Sequence, residues 1–386
     1  MKTIGEIFWR FLVLGCVSFG GPAAHIGYFQ NEFVKKRQWV DAAAYARLIA
    51  LSQFLPGPAS SQVGFALGLR RGGLGGGVAA FVGFTLPSFV LMYLLAAAHG
   101  AGIGDRIFEA VIHGLKLLAV VVIADATLTM YRKFCVDVAA TGIAVITAVG
   151  ILWLPGSGVQ LLLLAAAAGF GVLCRKSSGT QVDSAAGAGI RYVPLIAFLI
   201  LFVSSPFMTS LAPELDLFGR FYQAGSLVFG GGHVVLPLLQ ETLGDRISTD
   251  RFLLGYAAAQ AVPGPMFTLS AFLGAEVFTA QPLLGAVIAT VGVFLPGLLL
   301  VVSLQGAWES LAARPKVAGA VWGINAAVVG MLLAVLYRPA FQSAVVSPVD
   351  FALVVLGFFL LRSVGAPITL LVAGFAGIGV VLDIVQ

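Results

Sequence analysis

The sequence predicts an all-α integral membrane protein of two homologous halves, arranged as an inverted-topology repeat with broken, discontinuous or re-entrant helices meeting at the midplane. Three observations predict it. Of the 386 residues, 59% are hydrophobic and only 10% are charged, against about 25% charged in an ordinary soluble domain. Apolar stretches of about 20 residues, the length that crosses a bilayer, recur from position 11 to position 385. The sequence around Phe11 returns in the second half, and each copy carries the same helix-breaking clusters. A soluble multidomain enzyme is excluded. A membrane β-barrel is excluded as well, because residues 117 to 123 and 161 to 170 are continuously apolar where a barrel strand alternates.

The repeat is read residue by residue. Phe11, Gly15, Phe19, Gly20, Gly21 and Gln30 match Phe221, Gly225, Phe229, Gly230, Gly231 and Gln240 at an offset of 210. Gln53 and Pro56-Gly57-Pro58 match Gln260 and Pro263-Gly264-Pro265 at offset 207. Gly83, Pro87 and Gly114 match Gly292, Pro296 and Gly323 at offset 209. Full-length spans are expected near 73 to 99, 107 to 131, 136 to 154 and 158 to 174, and again near 281 to 305, 316 to 338, 349 to 362 and 366 to 385. Segments 42 to 55 and 59 to 70 are too short to cross about 30 Å at 1.5 Å per residue and read as half-helices.

The chain divides into an N-terminal repeat, 1 to 176, a polar linker, 177 to 191, and a C-terminal repeat, 192 to 386, which opens with an unpaired span at about 192 to 210. One unpaired crossing turns the second repeat upside down relative to the first. Charge agrees, since cytoplasmic loops collect Lys and Arg. Residues 1 to 176 hold 14 Lys+Arg against 7 Asp+Glu, and residues 177 to 386 hold 8 against 10. Lys35, Lys36, Arg37, Arg70 and Arg71 accordingly read as cytoplasmic, with the linker, and Asp250 as external. The weakly basic start reads as uncleaved. Cys16, Cys135 and Cys174 lie far apart without CxxC spacing, so they read as packing residues, and no metal or cofactor site is suggested.

The breaks carry the chemistry. Proline lacks a donor and disfavours helix before it, so helices stop and restart at Gly20-Gly21-Pro22, Pro56-Gly57-Pro58, Gly230-Gly231-Gly232 and Pro263-Gly264-Pro265. Irregular backbone at membrane depth survives only when buried in protein or lining a wet cavity. A half-helix that begins there aims unpaired N–H groups and about half a positive charge at the cavity. That favours an anion, as in transporters built from inverted repeats.

Candidate ligands follow from position. Gly20, Gly21, Gly57, Gly230, Gly231 and Gly264 allow close backbone approach, or serve helix packing. Ser60, Ser61, Thr268 and Ser270 add hydroxyls to the first turn or back-bond to their own helix. Gln53 and Gln260 donate amide hydrogens to the ligand or cap backbone. His25 and His233 lie just past a Gly-rich break, as ligands or as neutral hydrogen-bonded histidines. Lys116 lies mid-span opposite Asn325 at offset 209, either as an anion-attracting charge or as half of a buried pair with Glu109 or Asp125.

Phe19-Gly20-Gly21-Pro22 with His25, Gln53 before Pro56-Gly57-Pro58, their second-half copies and the run from Gly323 to Gly330 together resemble the chromate ion transporter family in its long two-domain form. The likeness covers nearly the whole chain. It implies a secondary active transporter that exports chromate, a sulfate-like tetrahedral oxyanion, across the bacterial inner membrane and so confers chromate resistance. The alternatives are a passive or exchange-type channel or transporter for sulfate or another oxyanion, and, further off, a membrane enzyme. No GxxxxGK[ST] run is present, so an ion gradient is the expected energy source. The expected partners are chromate, sulfate and the lipid bilayer, with no nucleic acid and no cofactor; a homodimer is compatible with this reading.

Overall fold

The computed structural model describes residues 2–19, 21–99, 105–154, 157–174, 189–229, 235–308 and 314–385. Among them every regular element is helical. The first half runs α1 (Lys2–Val17), α2 (Gly21–Phe29) continued by a π turn, α3 (Ala42–Phe54), α4 (Ala59–His99), α5 (Asp105–Phe134), α6 (Val138–Trp153) and α7 (Ser157–Cys174). Helix α8 (Tyr192–Ser204) follows. The second half runs α9 (Pro213–Leu227), α10 (Val235–Leu243), α11 (Thr249–Ala261), α12 (Leu269–Val277), α13 (Pro282–Leu304), α14 (Pro315–Val335), α15 (Pro348–Phe359) and α16 (Ile368–Val385).

Every element of the first half has a counterpart in the second once α4 is divided. Gly72 and Gly73 leave helical geometry, with Gly73 at φ +62, so α4 is a half-helix over 59 to 71 followed by a long helix over 74 to 99. These two pieces correspond to α12 and α13. Helix starts repeat too. Asp41 caps α3 by accepting from Ala44 N at 2.6 Å, and Ser248, at offset 207, caps α11. Asp137 caps α6 through Ala140 N at 2.8 Å, and Ser347, at offset 210, caps α15 in a capping box with Asp350.

Four helical stretches among the described residues are long and apolar enough to cross a membrane, at 59 to 98, 110 to 134, 282 to 304 and 315 to 344. They form two repeat-related pairs. The surface matches a lipid surrounding: Leu173 is 81% exposed, Val193 80%, and α8 has no buried residue. In hydrocarbon such side chains cost nothing to expose, whereas in water each would forgo roughly 1.5 to 3 kcal/mol. The N-terminus of α8 is nevertheless tied to the second half, where Arg191 N donates to Ser303 O at 3.0 Å and Ser303 Oγ donates to Arg191 O at 2.9 Å.

The halves are interleaved. Helix α5 of the first half packs on α16 and α15 of the second, while α14 packs on α7 and α6 of the first. Glycines make these contacts possible. A Cβ on Gly114 would collide with Phe375 O, and one on Gly323, its counterpart, with Ala167 O. The other repeated glycines behave likewise: Gly15 faces Phe84 O and Gly225 faces Val293 O, so α1 lies on α4 as α9 lies on α13. Small residues at helix contacts let backbones approach where lipid supplies no hydrophobic drive.

Candidate functional site

Residues 55 to 58 join α3 to the half-helix of α4, and residues 262 to 265 join α11 to the turn before α12. Both proline-glycine-proline breaks are buried in protein. Gly57 has φ +118 and Gly264 φ +100, conformations that only glycine adopts readily. Each loop bonds to the opposite half. Gly57 N donates to Val228 O at 2.7 Å, and Gly264 N donates to Ser18 O at 2.9 Å. Ser18 and Val228 are themselves repeat counterparts at offset 210, just ahead of the other pair of breaks. Each proline-glycine-proline break is therefore bonded to a residue that precedes the glycine cluster of the other half, in two reciprocal pairs.

This arrangement changes how an anion would be held. The N–H groups of Gly57 and Gly264 are occupied by carbonyls, so these glycines serve close approach and loop geometry. The donors left over are the first-turn N–H groups of the α4 half-helix, which have no intrahelical acceptor, and the hydroxyls around them. His25 is fully buried; its Nδ1 lies 3.2 Å from Ser60 Oγ and its Nε2 lies 3.2 Å from Ser18 O, with the ring edge-on to Phe84. One ring nitrogen donates to the Ser18 carbonyl, which leaves the other to accept from Ser60, so the neutral hydrogen-bonded histidine is the form these contacts suit. Ser18 Oγ, Ser61 Oγ and Thr85 Oγ1 are buried without a hydrogen-bond partner. Ser88, whose Oγ donates to Thr85 O at 3.0 Å, lies against Gly264.

Among the described residues the unpartnered hydroxyls belong to the first half. Ser18, His25, Ser60, Gln62, Thr85 and Ser88 correspond to Val228, Val235, Phe267, Leu269, Phe294 and Gly297. Only Ser61 keeps a hydroxyl in its counterpart, Thr268, and that hydroxyl is turned back to Pro265 O at 2.8 Å. Unpaired buried hydroxyls cost free energy unless something completes them. They cluster on the first-half side, where an oxyanion could accept from several at once.

The remaining predicted residues are dispersed or differently engaged. Gln53 is exposed; the buried amide beside the first break is Gln62, which donates to Pro56 O at 2.7 Å and whose Oε1 has no partner. Gln260 is half-buried against Met266 Sδ. Asn325 is buried on α14 with Oδ1 unpartnered. Gly21 has φ +75 at the start of α2. Gly20, Gly230, Gly231 and His233 lie outside the described residues. Sequence reading missed Ser18, Gln62, Thr85 and Ser88; the available signal was hydroxyls and an amide placed inside otherwise apolar runs beside Pro58, Pro87 and the Gly20-Gly21 cluster.

Lys116 is not a free charge. Its Nζ lies 2.8 Å from Asp250 Oδ1, in the first turn of α11. Of the intrahelical partners expected from spacing, Asp125 binds Arg362 at 3.0 Å instead, and the Glu109 side chain lies outside the described residues. His113 meets Asp350 at 2.9 Å. All three contacts cross from α5 to the second half, because α5 leaves its own repeat to pack there. Lys116→Gln and Asp250→Asn are expected to give the same defect, with the double variant little worse than either. A double-mutant cycle on thermal stability should return a coupling of about 1 to 2 kcal/mol, between the values for exposed and buried pairs because the aspartate is half open. Additive effects would show that the lysine acts apart from Asp250.

The profile of the family described as chromate transporter matches residues 5–172 and again 215–380. The chain belongs to the chromate transporter family. It is 29% identical to a chromate transport protein of Pseudomonas aeruginosa over 85% of this chain and 79% of the relative. Identity to a chromate transport protein of Cupriavidus metallidurans is 28%, over 98% and 93% of the two chains. A probable chromate transport protein of Synechococcus elongatus matches at 28% over 97% and 95%. No solved structure matches. Membership of this family and the apolar helices make the chain a multi-pass membrane protein of a transporter family.

Proposed function

We propose that the chain is a secondary active transporter that exports chromate across the bacterial inner membrane, with sulfate as the competing tetrahedral dianion, and so confers chromate resistance. Residues 1 to 176 and 192 to 386 act as the two repeats, joined by the linker 177 to 191, and they are inverted in the membrane. The observation that carries this reading is the reciprocal bonding of the breaks, Gly57 N to Val228 O and Gly264 N to Ser18 O. It ties both buried proline-glycine-proline breaks of a transporter-family chain across the two halves, where a substrate can be reached from either side as the repeats rock. The first turn of α4 with Ser18, Ser61 and Thr85 supplies donors to the oxyanion there, and Ser60 holds His25 beside them. The excess of basic loops in the first half, and the single unpaired helix α8, support the inversion.

The test is uptake of labelled chromate and sulfate into proteoliposomes under imposed pH and counter-anion gradients. The expected result is chromate flux that saturates, is competed by sulfate and follows a gradient. Flux that neither saturates nor responds to any gradient would identify a passive pore instead. Sidedness is checked on the same preparation with single cysteines: Lys36→Cys and Ser178→Cys should react from the cytoplasmic side, and Asp250→Cys from the other. Labelling of positions 36 and 250 from one side would remove the inverted arrangement.

A further inference from the structure

The N-terminal part of α1, the end of the α4 half-helix and the π turn after α2 line an open cavity of about 500 Å3. Its wall carries two carboxylates and four cations around Trp39. Both carboxylates are spent on one cation, since Arg37 lies 3.1 Å from Glu6 and 2.6 Å from Glu32. Arg10, Lys36 and Arg71 remain. Arg71 stacks over the Trp39 ring at 5.4 Å, Arg10 Nε is buried without a hydrogen-bond partner, and Lys36 has no ion pair among the described residues.

The second half shows what these residue types do when they neutralise each other. Asp216 and Arg220 are the counterparts of Glu6 and Arg10 at offset 210. There Arg220 Nε donates to Asp216 at 2.8 Å and Nη1 to Thr242 O at 2.8 Å, and Arg246 closes on the other carboxylate oxygen at 2.5 Å. In the first half Arg37 takes Glu6 instead, and Arg10 is released toward the cavity. A guanidinium with a buried, unsatisfied N–H is costly to keep. The cost is offset when a ligand supplies the missing acceptor, and four positive against two negative charges call for a ligand of about two negative charges.

We propose that this cavity binds one doubly charged tetrahedral oxyanion of the sulfate and chromate type, held by Arg10, Lys36 and Arg71, as a vestibule site separate from the helix breaks. Only the naming of chromate as the physiological ligand rests on the transport reading. A lipid phosphate presents the same oxygens, so the measurement must separate the two sources.

The full chain in phosphatidylcholine nanodiscs is titrated with sulfate while Trp39 fluorescence is followed, with Trp39→Phe giving the background. The expected result is a saturable change, weakened about tenfold or more by Arg10→Gln, as for loss of a charge-assisted contact. Lys36→Gln, on an exposed side chain that does not endanger folding, should weaken it in the same direction. Lys35→Gln, next in sequence but outside the cavity wall, should leave it unchanged. Equal affinity in wild type and both cavity variants overturns the proposal. So does a signal that arises only when anionic lipid replaces phosphatidylcholine. A protein that binds sulfate in this way yet moves no oxyanion in liposomes would keep the vestibule and remove the transport reading; transport without Arg10-dependent binding would do the reverse.

Discussion

Gly57→Leu and Gly264→Leu are each expected to abolish chromate transport in protein that still inserts. Two independent physical terms act at these positions. The first is the backbone: φ values of +118 and +100 lie where a side chain is strained, at a cost of order 1 to 3 kcal/mol. The second is space. A Cβ on Gly57 would stand 2.9 Å from Gln62 Nε2 and 3.1 Å from Gly297 Cα, and one on Gly264 would stand 2.9 Å from Ser88 Oγ and 3.3 Å from Phe84 O. Either push drives the loop away from the carbonyl that its N–H holds in the other half, so the breaks separate and the donors around Ser60 and Ser61 lose their common focus. Ser60→Ala removes one hydrogen bond without moving backbone, about 0.5 to 1.5 kcal/mol, and should reduce transport roughly tenfold or less. The check is uptake per inserted molecule. Wild-type rates in both leucine variants would sink the placement of the site.

The second large effect is expected on folding. Gly114→Val and Gly323→Val should each abolish accumulation of folded protein, because the added carbons meet the Phe375 and Ala167 carbonyls. Overpacking a core usually costs about 1 to 3 kcal/mol because side chains and backbone shift a little. Here the obstacle is the main chain of a neighbouring helix, which moves only if the whole contact opens. Gly169→Ala on α7 and Gly377→Ala on α16 are the matched controls, since nothing lies within 4 Å of a Cβ at either position. Size-exclusion profiles and thermal melts of all four variants decide the matter. Comparable behaviour of Gly323→Val and Gly169→Ala would mean that the α14–α7 contact tolerates separation.

Much of this was legible beforehand because bilayer length, proline chemistry and repetition are local properties. The half-helices expected at 42 to 55 and 59 to 70 correspond to α3 and the first part of α4, and the span expected near 281 to 305 is α13. The Gly114 and Gly323 pair is visible in the sequence as a match, but its contacts with Phe375 and Ala167 are not, since a helix contact leaves no trace in the sequence of one helix. Lys116 shows the same boundary. Spacing along α5 offered Glu109 and Asp125 as partners, yet the ion pair is made with Asp250, 134 positions further along the chain.

The sequence by itself determined that the chain lives in a bilayer, that it is a repeat, and where its helices must break, because hydropathy, offset matching and the missing proline donor need no partner to act. Tertiary structure alone decided which half supplies the polar groups at the breaks, which glycine N–H groups are already spent, and that α5 and α14 change sides. Those outcomes depend on which backbone groups come within hydrogen-bond reach of each other. For Gly57, Gly264 and Lys116 the decisive neighbour lies in the other copy, as Val228, Ser18 and Asp250 show.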